Sequence, residues 1–330
     1  MSGSAKNPDL HAALRSTGFR GLLRDRPIVP LMGLLVALTA VIYLARPEMV
    51  TSNWAINIVR QAIPLSLLAA CQTITFLTGG IDLSVGAVYG LAGAATAQLV
   101  VSVGVPVAIA AGIALGLAVG ITNGVLVTRF RINALIATLA MTYVVSGIGA
   151  LVTRGNLIVV FDHPEFQRVA ATRVAGLTSA AWMMIVITIA IGLLLSRTAF
   201  GRYVYATGGN AEAARLGGVR VSAVRVATFA LSGAAAAFAG VLDASRVLSA
   251  QSSSGGFLTF TVLAGIVVGG TSILGGEGAV WRTVVGCLFI ALIGNGFNLL
   301  GLDPFYQQIT LGVILLLAVG VDAWSRRAGH

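Results

Sequence analysis

Charged side chains interrupt this chain so rarely that the intervals between them constrain it more than any other feature. Nine of those intervals are long and apolar: 27–45, 61–81, 83–128, 132–153, 174–196, 226–242, 247–276, 283–302 and 304–321. A helix needs ~20 apolar residues to cross the hydrocarbon layer of a membrane. The interval 83–128 is long enough for two crossings, with a break near Gly104-Val105-Pro106. Only 10 % of the residues are charged, against roughly a quarter in soluble domains, which excludes a soluble enzyme. A hydrophobic content of 57 % excludes intrinsic disorder. A transmembrane barrel would alternate apolar and polar residues in short segments, and these runs are unbroken. The expected fold is all-α, a polytopic transmembrane bundle of about ten spans, within a range of eight to eleven. The stretches 79–86 and 269–278 are expected to break or re-enter.

Basic residues orient such a bundle, because positively charged loops stay cytoplasmic. With the N-terminus inside and ten alternating spans, fifteen of the twenty-one basic residues fall inside. Six fall outside: Arg46, Arg60, Arg154, Arg168, Arg173 and Arg246. Both termini are therefore expected in the cytoplasm. The organisation predicted is an inside segment 1–26, a membrane domain 27–325 with an inside loop 197–225, and a tail 326–330. The first apolar run leads into Leu44-Ala45-Arg46-Pro47, which is a poor cleavage site, so it reads as an uncleaved span.

Other chemistries lack their residues. The sole lysine is Lys6, so no G-x-x-x-x-G-K-[ST] phosphate loop exists, and no ATP site of that kind. His11, His163 and His330 are far apart, and Cys71 and Cys287 sit in apolar runs, so no zinc site or disulfide framework is suggested. The net charge of +10 would suit nucleic acid, but the arginines are scattered between apolar runs and read as membrane topology.

Several residues stand out against the apolar background. Gly112, Gly116, Gly120 and Gly124 share one helix face, which suits close packing within the subunit, a subunit interface or a sliding helix. Asp82 is the only acid between Glu48 and Asp162. Asp82 or Ser84 could cap a helix beginning near Leu83, or Asp82 could act directly in a solute path. Asn295 and Asn298 are three apart, and with Gln72, Gln251, Gln307 and Gln308 they offer amides for a polar solute or for bonds between helices. In the inside loop, Asn210 is a good N-cap, Ala211–Leu216 favour helix, and Gly217 or Gly218 can stop it. Gly79-Gly80 and Gly269-Gly270 hint at an internal repeat.

Four segments in order carry a resemblance. They are Thr78-Gly79-Gly80-Ile81-Asp82-Leu83-Ser84-Val85-Gly86, the stretch from Gly201 to Val219 containing Thr207-Gly208-Gly209-Asn210 and Glu212-Ala213-Ala214, then Gly269-Gly270-Thr271-Ser272-Ile273-Leu274-Gly275-Gly276-Glu277-Gly278, and Asn295-Gly296-Phe297-Asn298 leading to Pro304-Phe305-Tyr306-Gln307-Gln308. Together they resemble the permease subunits of bacterial ABC importers for ribose, xylose, galactose and related monosaccharides, over roughly residues 55–325. Two departures are visible: Thr259 and Thr261 stand where relatives often carry an acidic pair, and Asn133 where they usually have proline.

The resemblance implies a multi-pass protein of the bacterial inner membrane, surrounded by lipid, that imports a monosaccharide. It also implies a separate ABC ATPase subunit that binds ATP, this chain holding no cofactor itself. A second permease copy or paralogue and a periplasmic sugar-binding protein complete the assembly. Gly208, Gly209, Asn210, Glu212, Ala213, Ala214, Gly217 and Gly218 would then form the helix that enters a cleft of the ATPase, its small alanines fitting the groove. Gln72, Asp82, Ser84, Asn295 and Asn298 would be candidates for the substrate path. The competing reading is a secondary transporter or facilitator working without ATP. It would call for more intramembrane acids than Asp82, Asp243 and Asp303.

Overall fold

The computed structural model describes residues 28–327, so the expected segment 1–26 and the last three residues lie outside the described residues. Thirteen α-helices occur among the described residues. They are α1 (Ile28–Ala45), α2 (Ser52–Leu77), α3 (Val85–Val103), α4 (Val105–Thr128), α5 (Ala134–Thr153), α6 (Pro164–Ala171) and α7 (Ser179–Arg197). Then follow α8 (Ala199–Gly209), α9 (Ala211–Leu216), α10 (Val221–Val247), α11 (Leu258–Val268), α12 (Val280–Leu299) and α13 (Pro304–Arg327). Seven of them are long and apolar enough to cross a membrane: α2, α3, α4, α5, α7, α10 and α12. Three more, α1, α11 and α13, contribute shorter apolar stretches. Strand is confined to two-residue pairs, β1 (Ile158–Val159) with β4 (Ser249–Ala250) and β2 (Arg173–Val174) with β3 (Leu177–Thr178), both antiparallel.

Each charge-free interval holds a helix, with the double interval split at Gly104, but the helices do not stop at the charges. Helix α2 begins before Arg60, and α10 runs through Arg225, Asp243 and Arg246. A long arginine can lay its stem along a helix and keep its head elsewhere, so one charge does not end a helix. The interval 247–276 is the opposite case. Beyond Val247, the last residue of α10, only the eleven residues of α11 are helical, because Ser252–Ser254, Gly255-Gly256 and Gly269-Gly270 favour turns at both ends.

The four-glycine face of α4 is filled inside the subunit. Side chains added there would strike α10 at Gly233, Phe229 and Val226, or Thr96 of α3. That pattern is small-residue packing between helix backbones within the subunit. Around this pair α2, α3, α10 and α12 form the centre of the bundle, with Phe76, Leu67, Leu68, Phe229 and Ile266 fully enclosed.

Both glycine pairs end helices in the same way. Gly79 and Gly270 take φ of +75° and +76°. After α2, the Gly79 N–H donates to Phe76 O (2.8 Å) and the Gly80 N–H to Thr75 O (3.0 Å). After α11, the Gly270 N–H donates to Val267 O (2.8 Å) and the Thr271 N–H to Ile266 O (3.2 Å). These are paired Schellman terminations, which need a residue free of Cβ strain at positive φ. The two stops do not keep the register of the sequence pairs, since Gly79 is the first glycine of its pair and Gly270 the second.

Candidate functional site

In the break at 78–84, Thr78, Gly80, Asp82 and Ser84 are buried, Ile81 and Leu83 half-buried and Gly79 exposed, so most backbone groups there need a partner. The partners are side chains from neighbouring helices. Thr138 of α5 accepts from the Leu83 N–H (3.0 Å), and Thr142 donates to Leu83 O (3.1 Å). Gln72 of α2 donates through Nε2 to Asp82 O (2.7 Å). Thr259 of α11 accepts from the Gly86 N–H (3.1 Å) and donates to Leu83 O (3.4 Å). Thr259 is thus a two-way link; an ionised acid there could take the N–H but could not donate. Asn133, the other departure, caps α5 by accepting from the Leu135 N–H (2.9 Å).

Asp82 is fully buried and organises this region. Its Oδ1 accepts from the Ser84 N–H (3.0 Å) and from Ser84 Oγ (2.6 Å), and its Oδ2 from Ser232 Oγ of α10 (3.0 Å). Asn123 of α4 donates to Ser84 Oγ (2.8 Å). One network therefore ties α2, α3, α4 and α10 together. Of the two capping candidates, Asp82 supplies the acceptor at the start of α3; Ser84 makes no side-chain cap bond. Gln72 Oε1 and Asn123 Oδ1 have no hydrogen-bond partner.

The five substrate-path candidates divide into two groups. Gln72, Asp82 and Ser84 lie together. Asn295 and Asn298 sit near the far end of α12, where Gly294 abuts Gln307 and Gly296 abuts Ile42. Asn295 is buried, with its Oδ1 unpartnered, while Asn298 is exposed. Their shared helical spacing does not give them a shared environment.

Helix α9 forms as its residues dictate. Asn210 Oδ1 accepts from the N–H groups of Glu212 (3.0 Å) and Ala213 (2.9 Å). Gly218, at φ +85°, ends the helix, and Gly217 does not need that conformation. Glu212 and Arg215 pair across one turn on the exposed side (2.9 Å). The alanines are not equivalent: Ala213 is exposed, but Ala214 is only 7 % exposed and packs inward. The expectation that both present a docking surface is corrected for Ala214. The apolar group that does face outward is Leu216, 83 % exposed. Sequence reading passed over it as one leucine among many.

Gly208 and Gly209, at the end of α8, sit where the other two glycine segments arrive. The Gly276 N–H donates to Leu77 O at the end of α2 (3.0 Å). A Cβ on Gly208 would collide with that same Leu77 oxygen, and one on Gly275 would fall 2.8 Å from Gly79 N. Tyr205 of α8 donates to Gly278 O (3.0 Å). Backbone meets backbone at this junction, so α8, the end of α2 and the 269–279 turn touch without intervening side chains. Helix α9 begins one residue beyond α8.

The family described as "Branched-chain amino acid transport system / permease component" matches residues 54–319. The chain belongs to this permease family. The ribose import permease protein RbsC of Escherichia coli (strain K12) is 37 % identical over 292 residues, covering 87 % of this chain and 91 % of RbsC. RbsC of Bacillus subtilis (strain 168) is 37 % identical over 319 residues, 96 % of this chain and 98 % of that protein. The L-arabinose transport system permease protein AraH of Escherichia coli (strain K12) is 38 % identical over 269 residues, 81 % and 82 % of the two chains. No solved structure gives a significant match. This permease therefore holds the glycine junction and the Asp82 network inside the matched region, and it is a transport component rather than an enzyme.

Proposed function

We propose that this permease carries a monosaccharide inward across the bacterial inner membrane, driven by ATP hydrolysis on a separate ABC ATPase subunit. It works beside a second permease copy or paralogue and receives its sugar from a binding protein outside. About ten spans with both termini inside fit the seven long and three shorter apolar helices and the excess of basic residues assigned to the inside. On that orientation α9 is cytoplasmic.

The observation that carries the coupling half of this reading is the junction of Gly208 with Leu77 and Gly276. It provides a stiff path from an exposed cytoplasmic helix to two interruptions among the spanning helices. Movement of α9 on the ATPase would shift the end of α2 and the 269–279 turn together. The 78–84 break would follow, and with it the Asp82 network that holds α2, α3, α4 and α10 in register. Kinship with ribose and arabinose permeases supports a sugar as cargo, although the family description speaks of branched-chain amino acids.

Uptake of labelled D-ribose, L-arabinose and L-leucine separates the two classes of cargo. The assay uses cells that express the whole operon but lack their own pentose and leucine systems. A sugar should accumulate and leucine should not. Accumulation of leucine with neither sugar taken up would overturn the proposal.

A further inference from the structure

Outward-facing basic residues are disfavoured in a membrane protein of this orientation. Even so, three of the six assigned to the outside converge. Arg60 of α2, Arg173 of β2 and Arg246 of α10 line one cavity of about 260 Å³. Ala170 and Ala239 are among the small residues of its wall. The one acid in the lining is Asp243, and it is already engaged: Arg246 Nε donates to its Oδ1 (3.2 Å). Neither Arg60 nor Arg173 belongs to any ion pair among the described residues. Arg60 Nε is buried with no acceptor.

The cavity lies at the end of the bundle opposite α9. Arg60 precedes Leu77 by seventeen residues of continuous helix, or roughly 25 Å at about 1.5 Å per residue. Arg246 stands at the far end of α10 from Val221. Arg60 is half-buried with its Nε enclosed, while Arg173 and Arg246 are exposed at the cavity's edge. An enclosed N–H without an acceptor is costly, and a carboxylate or phosphate group answers it with a charge-assisted hydrogen bond. The volume falls just under the ~300 Å³ where sites for drug-sized ligands begin, so the occupant is small.

We propose that this cavity binds the carboxylate or phosphate of a small anion, of about monosaccharide size, between Arg60 and Arg173 at the outer end of the permease. The outward placement rests on the importer reading; the binding chemistry does not. The anionic group could belong to a free solute, such as a sugar acid or sugar phosphate, or to a lipid headgroup.

The test uses the full chain in nanodiscs of phosphatidylcholine, titrated calorimetrically with D-galacturonate and D-ribose 5-phosphate, and with D-galactose and D-ribose as neutral matches. A charged member should bind and its neutral match should not. Arg60→Gln and Arg173→Gln should each weaken binding by about tenfold or more. Arg168→Gln, at an exposed arginine outside the cavity, should change it by less than about twofold. If no solute binds, the same proteins are compared in discs doped with phosphatidylglycerol. Saturable thermal stabilisation by that lipid, lost in Arg60→Gln and Arg173→Gln, would assign the anion to a headgroup and keep the proposal. Neutral sugars binding as well as their anions would overturn it, and so would no response to any solute or lipid. So would anion binding indifferent to both substitutions. The comparison of charged with neutral solutes needs only the unaltered chain, so a misfolded variant does not remove the test. Sugar uptake with an unresponsive cavity would leave the transport reading standing; anion binding in a protein that imports no sugar would do the reverse.

Discussion

Two neighbouring glycines make the sharpest contrast at the residue scale. A methyl group on Gly208 has nowhere to go, because the backbone oxygen of Leu77 and the nitrogen of Gly276 occupy its place. A methyl group on Gly209 meets nothing within 4 Å. Gly208→Ala should therefore force the junction apart, at a cost on the order of 1–3 kcal/mol. Gly209→Ala should be neutral or slightly favourable, since alanine is the better helix former by up to ~1 kcal/mol. In a sugar-uptake assay normalised to protein in the membrane, Gly208→Ala should lose most activity and Gly209→Ala should keep it. Equal activity of the two would mean that the close approach is irrelevant to transport. Sequence alone could mark the pair as a motif. It could not tell them apart, because the difference lies in the residues that α2 and the 269–279 turn bring from far along the chain.

At the scale of elements, local signals were readable and surface identity was not. Asn210 as cap, Ala211–Leu216 as helix and a glycine stop are all encoded within nine residues, so α9 could be drawn from them directly. Which side of so short a helix faces out depends on how α8 and α10 hold it, and that turns Ala214 inward and Leu216 outward. The same limit explains 247–276: hydropathy merges it into one span, whereas its serines and glycines shorten the helix to α11. On the proposed docking of α9, Leu216 would be the anchor, because it is the helix's exposed apolar group. Burying a leucine contributes about 1.5–3 kcal/mol, which is roughly one to two decades in affinity. Leu216→Glu should thus leave the permease at normal abundance but reduce the ATPase that co-purifies with it by about tenfold or more. Ala214→Glu should instead lower abundance, because it places a charge where the loop packs on itself. Full ATPase recovery with Leu216→Glu would remove α9's outer face from the contact.

At the scale of the whole molecule, the apolar bundle follows from where charge is scarce, and the proposed orientation from where the basic residues lie. The same scarcity makes each exception informative. Asp82 is held among hydroxyl, amide and backbone donors at the junction of four helices, and three of the six arginines assigned to the outside line one cavity. Between those two features run α2 and α10, and at their inner ends lies α9. On the proposed orientation, the cavity stands at the outer end and α9 at the inner end. The claim that energy enters at the inner end is tested most directly in proteoliposomes. These would contain the permease, its ATPase and the binding protein, with ATP enclosed and no ion gradient. Labelled sugar bound to its binding protein should then change compartment only when hydrolysable ATP is present, and Leu216→Glu should abolish that transport. Uptake that proceeds without ATP, or that responds only to an imposed proton or sodium gradient, would contradict the account.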